Sequence, residues 1–313
     1  MDTISPEFEL TDAELHLYSR QILLDGWDID ADCFAKLAPC AQLLNSQIVS
    51  SGAVEYRIRN TYAICQYSKI EQDIIFYADS ALITFDTRLT WNEKHQLLKT
   101  AFDTTVQNTY ATCETQFGSI KRPTTRNDSV EQAMFEVCNH KYTDLSEPGS
   151  GVTLLNDCKY GISVEGGKMM LSLAKGGLRP DDRGDAGVYT FRYALLLHEG
   201  GYAAKNVTLP AYCFNDPPLQ IKGKASAGSF VRTTHDNIVI ETIKPCEDAE
   251  NAMILRLYEC EGSYTATKLQ MPNACTAGIC DMMEREIAVC DGNLTFEPFE
   301  IKTIKIKRDE DKT

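Results

Sequence analysis

The sequence predicts a mainly β protein, with a large antiparallel β-sandwich followed by a smaller β-sandwich unit. Short runs that alternate apolar and polar residues recur along the chain, and this alternation is typical of half-buried strands. Turn residues separate the runs, and helical signals are few, which favours a sandwich over an α/β sheet. The segment 216–228 (DPPLQIKGKASAG) combines prolines, glycines and small residues, so we interpret it as a linker.

Four segments follow from this pattern. Residues 1–18 are expected to form an N-terminal extension or an incomplete start of the β domain. Residues 19–215 are expected to form the large sandwich, and residues 229–313, beyond the linker, the small C-terminal β domain.

The individual strands are predicted from alternation and from the turns between them. Residues 54–59 (VEYRIR) alternate cleanly, and residues 74–77 and 81–85 flank a turn at 78–80. Further predicted strands are 169–173, 190–197, 238–243, 253–258, 264–267 and 299–307. The sequence EGS at 261–263 predicts a hairpin between the strands on either side of it.

Two other local patterns lead to specific expectations. Residues 299–307 (FEIKTIKIK) are expected to form a strand with its lysines on one face, as in an edge strand or a strand with one wet face. A short helix is predicted at 129–136, with Asp128 or Ser129 as its N-cap.

Composition limits the classes of partner. The 313 residues carry a formal net charge of −14, so the surface repels phosphate and neither nucleic acid nor an anionic membrane is an expected partner. No apolar run of about 20 residues is present, so no membrane span is predicted. The opening MDTISPEFEL lacks the basic and apolar regions of a signal peptide.

The cysteine pattern points to a reducing compartment. Twelve cysteines are scattered without a CxxC pair, so we expect reduced thiols and a cytoplasmic location, with a vacuolar or lysosomal one open only if the N-terminus is truncated. Cys65, Cys113, Cys138 and Cys158 lie in apolar or strand-like runs, where a free cysteine behaves as a small buried hydrophobe.

Several segments share the order of motifs found in one enzyme family. They are residues 14–30, which end in WDID, residues 91–99 (WNEKHQLLK), residues 117–161, Asp182-Arg183-Gly184 with the strand after it, and residues 237–244. Together they resemble the C-terminal β-rich half of glycoside hydrolase family 38, the retaining α-mannosidases. The resemblance covers nearly everything after about residue 14 and implies a galactose-mutarotase-like supersandwich for the large domain.

The sequence departs from that family at two places. Val130-Glu131 stands where the family usually has Trp-Asp, and Ser150 stands where it has an aromatic residue, which would remodel the nearby surface. Residues 10–24 also look like the N-terminus of ubiquitin-activating-type adenylating enzymes. That reading is disfavoured because no GxGxxG phosphate loop follows.

The resemblance places the chemistry outside this chain. Retaining glycosidases use a carboxylate nucleophile and a general acid about 5–5.5 Å apart. In family 38 the nucleophile and the zinc ligands lie on an N-terminal barrel that this chain lacks, so we expect no catalytic residue, metal ligand or cofactor here, and zinc on the barrel. None of the five histidines has chelating spacing, and each is expected at the surface or in a hydrogen bond.

The loop 175–187 (KGGLRPDDRGDAG) is the best candidate for a substrate cleft, because loops on a rigid sandwich often carry binding groups. By resemblance, Lys175 lies near the place of a basic residue that reaches the sugar site. The other candidates are Arg179, Asp182, Arg183 and Asp157, although Asp157 also fits a strand end.

Aromatic rings are a second route to sugar binding, since a ring face packs on the apolar face of a pyranose. The chain has two tryptophans, Trp27 and Trp91, and core packing is the preferred interpretation of both.

Three functional hypotheses remain. The first is the C-terminal carbohydrate-binding and structural part of a retaining α-mannosidase, not catalytic alone, with the missing barrel and α-mannoside glycans as partners. The second is a stand-alone, non-catalytic carbohydrate-binding module. The third is an inactive fragment, which would expose an apolar face and associate.

Overall fold

The computed structural model of the chain describes residues 13–19, 26–38, 40–219, 221–224, 228–272 and 275–308. Residues 1–12 of the predicted extension, and residues 220 and 225–227 of the predicted linker, lie outside this part. None of the described helices has the length and apolar character that crossing a bilayer requires.

Strands dominate the described chain, as the alternation predicts. In chain order they are β1 (Ala13–Ser19), β2 (Leu37–Ala38), β3 (Ala41–Ser51), β4 (Glu55–Ile64), β5 (Ser68–Tyr77), β6 (Leu82–Trp91), β7 (Gln96–Asp103), β8 (Tyr110–Thr115), β9 (Gly118–Pro123), β10 (Val137–Cys138), β11 (Tyr142–Ser146), β12 (Ser150–Asn156), β13 (Gly161–Glu165), β14 (Lys168–Lys175), β15 (Gly187–Glu199), β16 (Arg232–Thr233), β17 (Ile238–Pro245), β18 (Ala252–Glu259), β19 (Thr265–Gln270), β20 (Cys275–Cys280), β21 (Glu286–Cys290), β22 (Asn293–Phe296) and β23 (Ile301–Arg308). The helices are a 3-10 turn (Cys33–Lys36), α1 (Ser129–Ala133) and α2 (Thr208–Asn215).

The chain divides into two compact units. Unit 1 comprises residues 1–114 and 121–202, and unit 2 comprises residues 115–120 and 203–313. The main division therefore falls N-terminal to the segment 216–228 that the sequence marks as a linker, and α2 groups with unit 2.

Unit 1 is a large antiparallel sandwich. Its nine-stranded sheet has the order β3-β4-β5-β6-β15-β12-β11-β8-β9, and its six-stranded sheet has the order β10-β13-β14-β7-β1-β2. Inward-facing side chains of both sheets form one apolar core, in which Phe85, Trp91 and Tyr193 of the first sheet join Phe102 and Leu171 of the second. Burial of this shared core holds the sheets together.

Unit 2 is a smaller antiparallel sandwich. A five-stranded sheet (β17-β18-β23-β20-β21) and a three-stranded sheet (β16-β19-β22) share a core in which Leu255 and Ile304 of the first meet Leu269 and Phe296 of the second. The predicted fold class, a large β-sandwich followed by a smaller one, is confirmed.

All nine predicted strands overlap observed strands, but two predictions about their neighbours are wrong. The strands at 253–258 and 264–267 do not form a hairpin, because β18 pairs with β17 and β23 while β19 pairs with β16 and β22. The buried carboxylate of Glu259 binds the backbone N–H groups of residues 261–263, and these bonds hold the connection in a shape other than a tight two-strand turn.

The final strand is not an edge strand. β23 lies between β18 and β20, and Lys305 is only 9% exposed. Lys302 pairs with Glu300, and Lys307 pairs with Glu286 on β21, so these ammonium groups meet carboxylates rather than water alone. Successive residues of a strand face opposite sides, so Lys302 points away from the face of Lys305 and Lys307, and the expectation of lysines on one wet face is also wrong.

The predicted helix is shorter than expected. Asp128 caps α1 through hydrogen bonds from the backbone nitrogens of Val130 and Glu131, as predicted, but the helix ends at Ala133 instead of residue 136. Beyond that end, Glu136 binds the amine of Lys99, which holds the chain outside the helical path.

The cysteines are all free thiols. Cys113 is buried, as predicted, whereas Cys65, Cys138 and Cys158 are exposed, so the prediction of burial is wrong for those three. Each of the three lies at or beyond the end of a strand, where an apolar run in the sequence no longer implies an inward-facing side chain.

Candidate functional site

The candidate loop joins the two sheets of unit 1. It leaves β14 at Lys175 and enters β15 at Gly187. Two backbone hydrogen bonds fix its start, from His95 N to Gly176 O (2.7 Å) and from Gly176 N to Gln96 O (2.7 Å). A Cβ on Gly176 would lie 2.1 Å from the carbonyl oxygen of Glu93, so only glycine fits this close backbone approach.

The loop also anchors the segment that carries Trp27. Lys175 Nζ donates to the carbonyl oxygen of Asp28 at 2.7 Å, and Gly26 N donates to the carbonyl oxygen of Arg179 at 2.8 Å. A Cβ on Gly26 would lie 2.0 Å from that oxygen, which again restricts the position to glycine. Two predicted site residues, Lys175 and Arg179, therefore both form hydrogen bonds with the segment 26–28.

Trp27 lies between these two anchors with 73% of its surface exposed, so the core role predicted for it is wrong. Trp91, by contrast, is fully buried, as predicted. The difference is local: Trp91 ends β6 on the inward face, whereas Trp27 lies in a turn outside any strand.

The tip of the loop is open to solvent. Asp182 is exposed, and 91% of the Arg183 side chain is accessible. Arg183 contacts Asp181, two residues earlier, through a hydrogen bond of 3.0 Å from its backbone nitrogen and a distance of 3.7 Å from its Nε to the same carboxylate. Exposed ion pairs of this kind hold side chains weakly, so the charged groups of Asp182 and Arg183 are available to a ligand.

Asp157 belongs to a different group of residues. Its carboxylate accepts from Arg192 N at 2.9 Å and lies 3.5 Å from Arg192 Nε on β15. Nearby, Lys159 Nζ lies 4.4 Å from the centre of the Phe191 ring and 5.4 Å from that of Tyr189. The structure therefore places Asp157 with β15, and no described contact joins it to Lys175 or Arg179.

Lys159 was not predicted as a site residue. Burial lowers the pKa of Lys159, against the opposing effect of Asp185 and Asp157. Tyr189 links this group to the loop, since its hydroxyl donates to the carbonyl oxygen of Asp185 at 2.7 Å. The alternating aromatics of β15 were visible in the sequence, but their meeting with Lys159 depends on the β12–β15 register.

A zinc site does not fit this chain in the part that the structure describes. No group of three or more histidine, cysteine, aspartate or glutamate side chains is arranged to hold a metal ion there. His198 is bonded to Asp144, and His95 and His235 are exposed. Val130, at one departure from the family pattern, is 60% exposed on α1.

The His198–Asp144 pair is buried, and the Asp144 carboxylate has three hydrogen-bond partners. Asp144 accepts hydrogen bonds from Ser146 Oγ (2.7 Å) and Thr153 Oγ1 (2.7 Å), and its Oδ1 lies 2.9 Å from His198 Nε2. A Cβ on Gly151 would lie 2.3 Å from the imidazole, so this glycine makes room for the ring. Burial acts to lower the pKa of His198, but the hydrogen bond and charge of Asp144 outweigh it, and the pKa is raised above 6.5.

We expect His198→Gln to reduce stability most at low pH. A raised folded-state pKa stabilises the protein fully below 6.5, and this contribution is lost as pH rises through the folded value. Urea denaturation of the wild type and the variant from about pH 5.5 to 9 should therefore show a difference in unfolding free energy that narrows with pH. The exposed His235→Gln is the control, and a gap for His198→Gln that widens with pH would contradict the assignment.

The comparisons with known proteins agree with this fold. Residues 9–183 match the family model described as the glycosyl hydrolases family 38 C-terminal domain, and residues 237–304 match that of the family 38 C-terminal beta sandwich domain. An alpha-mannosidase from Enterococcus faecalis V583 has a similar fold, with a TM-score of 0.69 and 15% identity over 85% of this chain and 35% of that one.

Two curated relatives show how far the similarity extends. Alpha-mannosidase 2C1 of Homo sapiens is 36% identical over 295 residues, covering 90% of this chain and 28% of the human protein. Alpha-mannosidase G of Dictyostelium discoideum is 34% identical, covering 75% of this chain and 23% of that protein. The chain thus spans less than a third of the length of these relatives.

The two β-sandwiches match, in this order, the two C-terminal domains of a class of glycosyl hydrolases. The chain belongs to glycoside hydrolase family 38, whose C-terminal domain and C-terminal β-sandwich domain it contains.

Proposed function

We propose that the chain is the carbohydrate-binding and structural part of a retaining α-mannosidase, with the nucleophile and zinc supplied by a barrel domain outside it. The observation that carries this proposal is that alignments spanning 90% and 75% of this chain span only 28% and 23% of the length of the two alpha-mannosidases. The substrate class is then a glycan with terminal α-mannosides, degraded in mannose metabolism.

The sugar-contacting surface that we propose is formed by Trp27 and the loop after β14. The exposed indole face can pack on the apolar face of a pyranose ring. Arg183 and Asp182 at the loop tip can donate to and accept from sugar hydroxyls. Lys175 acts as a positioning residue, because its amine is bonded to the backbone beside the indole.

A stand-alone carbohydrate-binding module is the second candidate, and the exposed Trp27 suits it as well as it suits the first. Both candidates require that this chain bind a mannoside, but only the first requires a catalytic partner. The inactive-fragment hypothesis predicts no sugar binding at all.

We expect Trp27→Ala to weaken mannobiose binding about tenfold, which is about 1.4 kcal/mol at 25 °C. Isothermal titration calorimetry of the purified chain checks this, and Lys175→Ala should weaken binding less because the indole remains. Tyr110→Ala is the matched control, since it removes an aromatic side chain that is 49% exposed on β8. A wild-type titration that shows no heat of binding at millimolar mannobiose would contradict the proposed sugar-binding function.

The proposed compartment is the cytoplasm. Twelve free thiols, several of them exposed, support it, because thiols of this kind persist in reducing surroundings.

A further inference from the structure

β3 is an unusual edge strand. It begins the nine-stranded sheet and pairs only with β4, so its other backbone edge meets no strand of the described chain. Its 11 residues extend about 35 Å, which is long for an edge. Natural edges of this length are commonly protected by charges, prolines or a covering element.

This strand carries no charge of its own. Residues 37–54, which include all of β3, contain no aspartate, glutamate, lysine or arginine, although 24% of the chain is charged. Two bulges, at Leu43/Asn45 and Ile48/Ser50, increase its local twist but leave the backbone edge open.

Four of the exposed side chains of β3 are large and apolar. Leu43, Leu44, Ile48 and Val49 are 53%, 56%, 61% and 40% exposed. Exposure of four such side chains on one strand exceeds the scattered apolar residues that a monomer surface normally shows.

The register shows which face of the sheet this is. Ile48 pairs with Ile58, which continues through Ile74 to Phe85, a residue of the buried core. Paired residues of antiparallel strands share a face. The core-facing side of the sheet therefore continues to β3, where its apolar residues have lost their cover.

The sequence of β3 is symmetric about Ser46. Leu43 and Leu44 precede it at the same distances at which Val49 and Ile48 follow it, with polar residues between. If two copies of the strand pair antiparallel about a two-fold axis at Ser46, Leu43 of each lies opposite Val49 of the other. Leu44 of each then lies opposite Ile48, so every exposed apolar residue gains an apolar neighbour.

Electrostatics also favour a second copy of the chain as the partner of β3. With a net charge of −14, most of the surface repels a second copy of the chain. Close approach costs least along the uncharged strand, where no like charges would face each other. We propose that β3 pairs with β3 of a second copy, so that the nine-stranded sheets of two molecules join into one continuous sheet.

The test places a charge on the proposed axis. Ser46 is exposed, so Ser46→Lys leaves the core of the single molecule intact but sets two like charges against each other in the dimer. Sedimentation velocity should show a wild-type dimer and a dissociation constant raised up to about fivefold for Ser46→Lys. Gln66→Lys, an exposed turn position with the same charge change, should behave as the wild type.

Two results would overturn the proposal. One is a wild-type chain that stays monomeric at every concentration. In that case β3 would be covered by another part of an α-mannosidase and not by a second copy of this chain. The other is a Ser46→Lys variant that dimerises as well as Gln66→Lys, which would place the dimer contact elsewhere. Thermal unfolding followed by circular dichroism confirms that each variant is folded.

Discussion

Replacing Lys99 by alanine is expected to destabilise unit 1 by about 3–5 kcal/mol. The Lys99 side chain is fully buried, and its amine donates to Glu136 Oε2 at 2.5 Å and to Ser172 Oγ at 2.8 Å. Without the ammonium group, the Glu136 carboxylate, only 11% exposed, loses the charge that balances it. Urea denaturation followed by fluorescence measures the change in unfolding free energy.

A surface pair provides the control for Lys99. Lys168 lies 3.6 Å from Asp103, and both side chains are more than a third exposed, so Lys168→Ala should cost less than about 1 kcal/mol. Replacing both Lys99 and Glu136 by methionine should recover much of the loss, because no charge then stays buried. A cost for Lys99→Ala no greater than that for Lys168→Ala would contradict this account.

The Lys99–Glu136 ion pair, which stabilises unit 1, also lies close to the candidate site. The Lys99 Nζ lies 5.8 Å from the centre of the ring of Phe34, a residue of the 3-10 turn that follows the Trp27 segment. Phe34 in turn packs edge-on against Phe135, with ring centres 5.7 Å apart. Loss of the ion pair should therefore loosen residues 26–36 and weaken sugar binding as a secondary effect.

Glu259→Gln is the second substitution with a large expected effect, about 3 kcal/mol in unit 2. The fully buried carboxylate accepts from the backbone nitrogens of Glu261 (2.8 Å), Gly262 (2.7 Å), Ser263 (3.0 Å) and Phe299 (3.1 Å). A glutamine has only one acceptor oxygen, and its amide would turn N–H groups toward other N–H groups. The variant should unfold at lower urea concentration than the wild type.

The pH dependence tests the same carboxylate. Burial acts to raise the pKa of Glu259, but the backbone hydrogen bonds outweigh it and the pKa is lowered below 4.5. A lowered folded-state pKa contributes stability above 4.5 that is lost as pH falls through the folded value. The difference between wild type and Glu259→Gln should therefore shrink from pH 7 to about pH 3. The exposed Glu250→Gln should show no such change, and a constant gap would count against the assignment.

Strand positions could be predicted because alternation reports burial directly. Residues 190–193 alternate because β15 has the core on one side there, and Trp91 is buried because it falls on the inward face of β6. Pairing partners could not be predicted in the same way. The neighbours of β18 and β23 depend on contacts between distant segments. The local hairpin signal gave the wrong partner for β18, and the local edge signal gave the wrong position for β23.

The candidate loop was visible in the sequence from its length, glycines and charges, but its contacts were not. The bond from Lys175 to Asp28 joins residues 147 positions apart, and nothing local to either residue signals it. Trp27 was misjudged for the same reason, because a tryptophan beside a glycine gives no sign that both neighbours are anchored and the ring left exposed.

The most direct test of the central claim is hydrolysis of 4-nitrophenyl α-mannoside by the purified chain, with and without added zinc or cobalt. The proposal that the nucleophile and the metal ligands lie on a domain outside this chain predicts no turnover under either condition. Metal-dependent turnover that copurifies with the chain would mean that a catalytic site exists within these 313 residues, and would contradict the proposal.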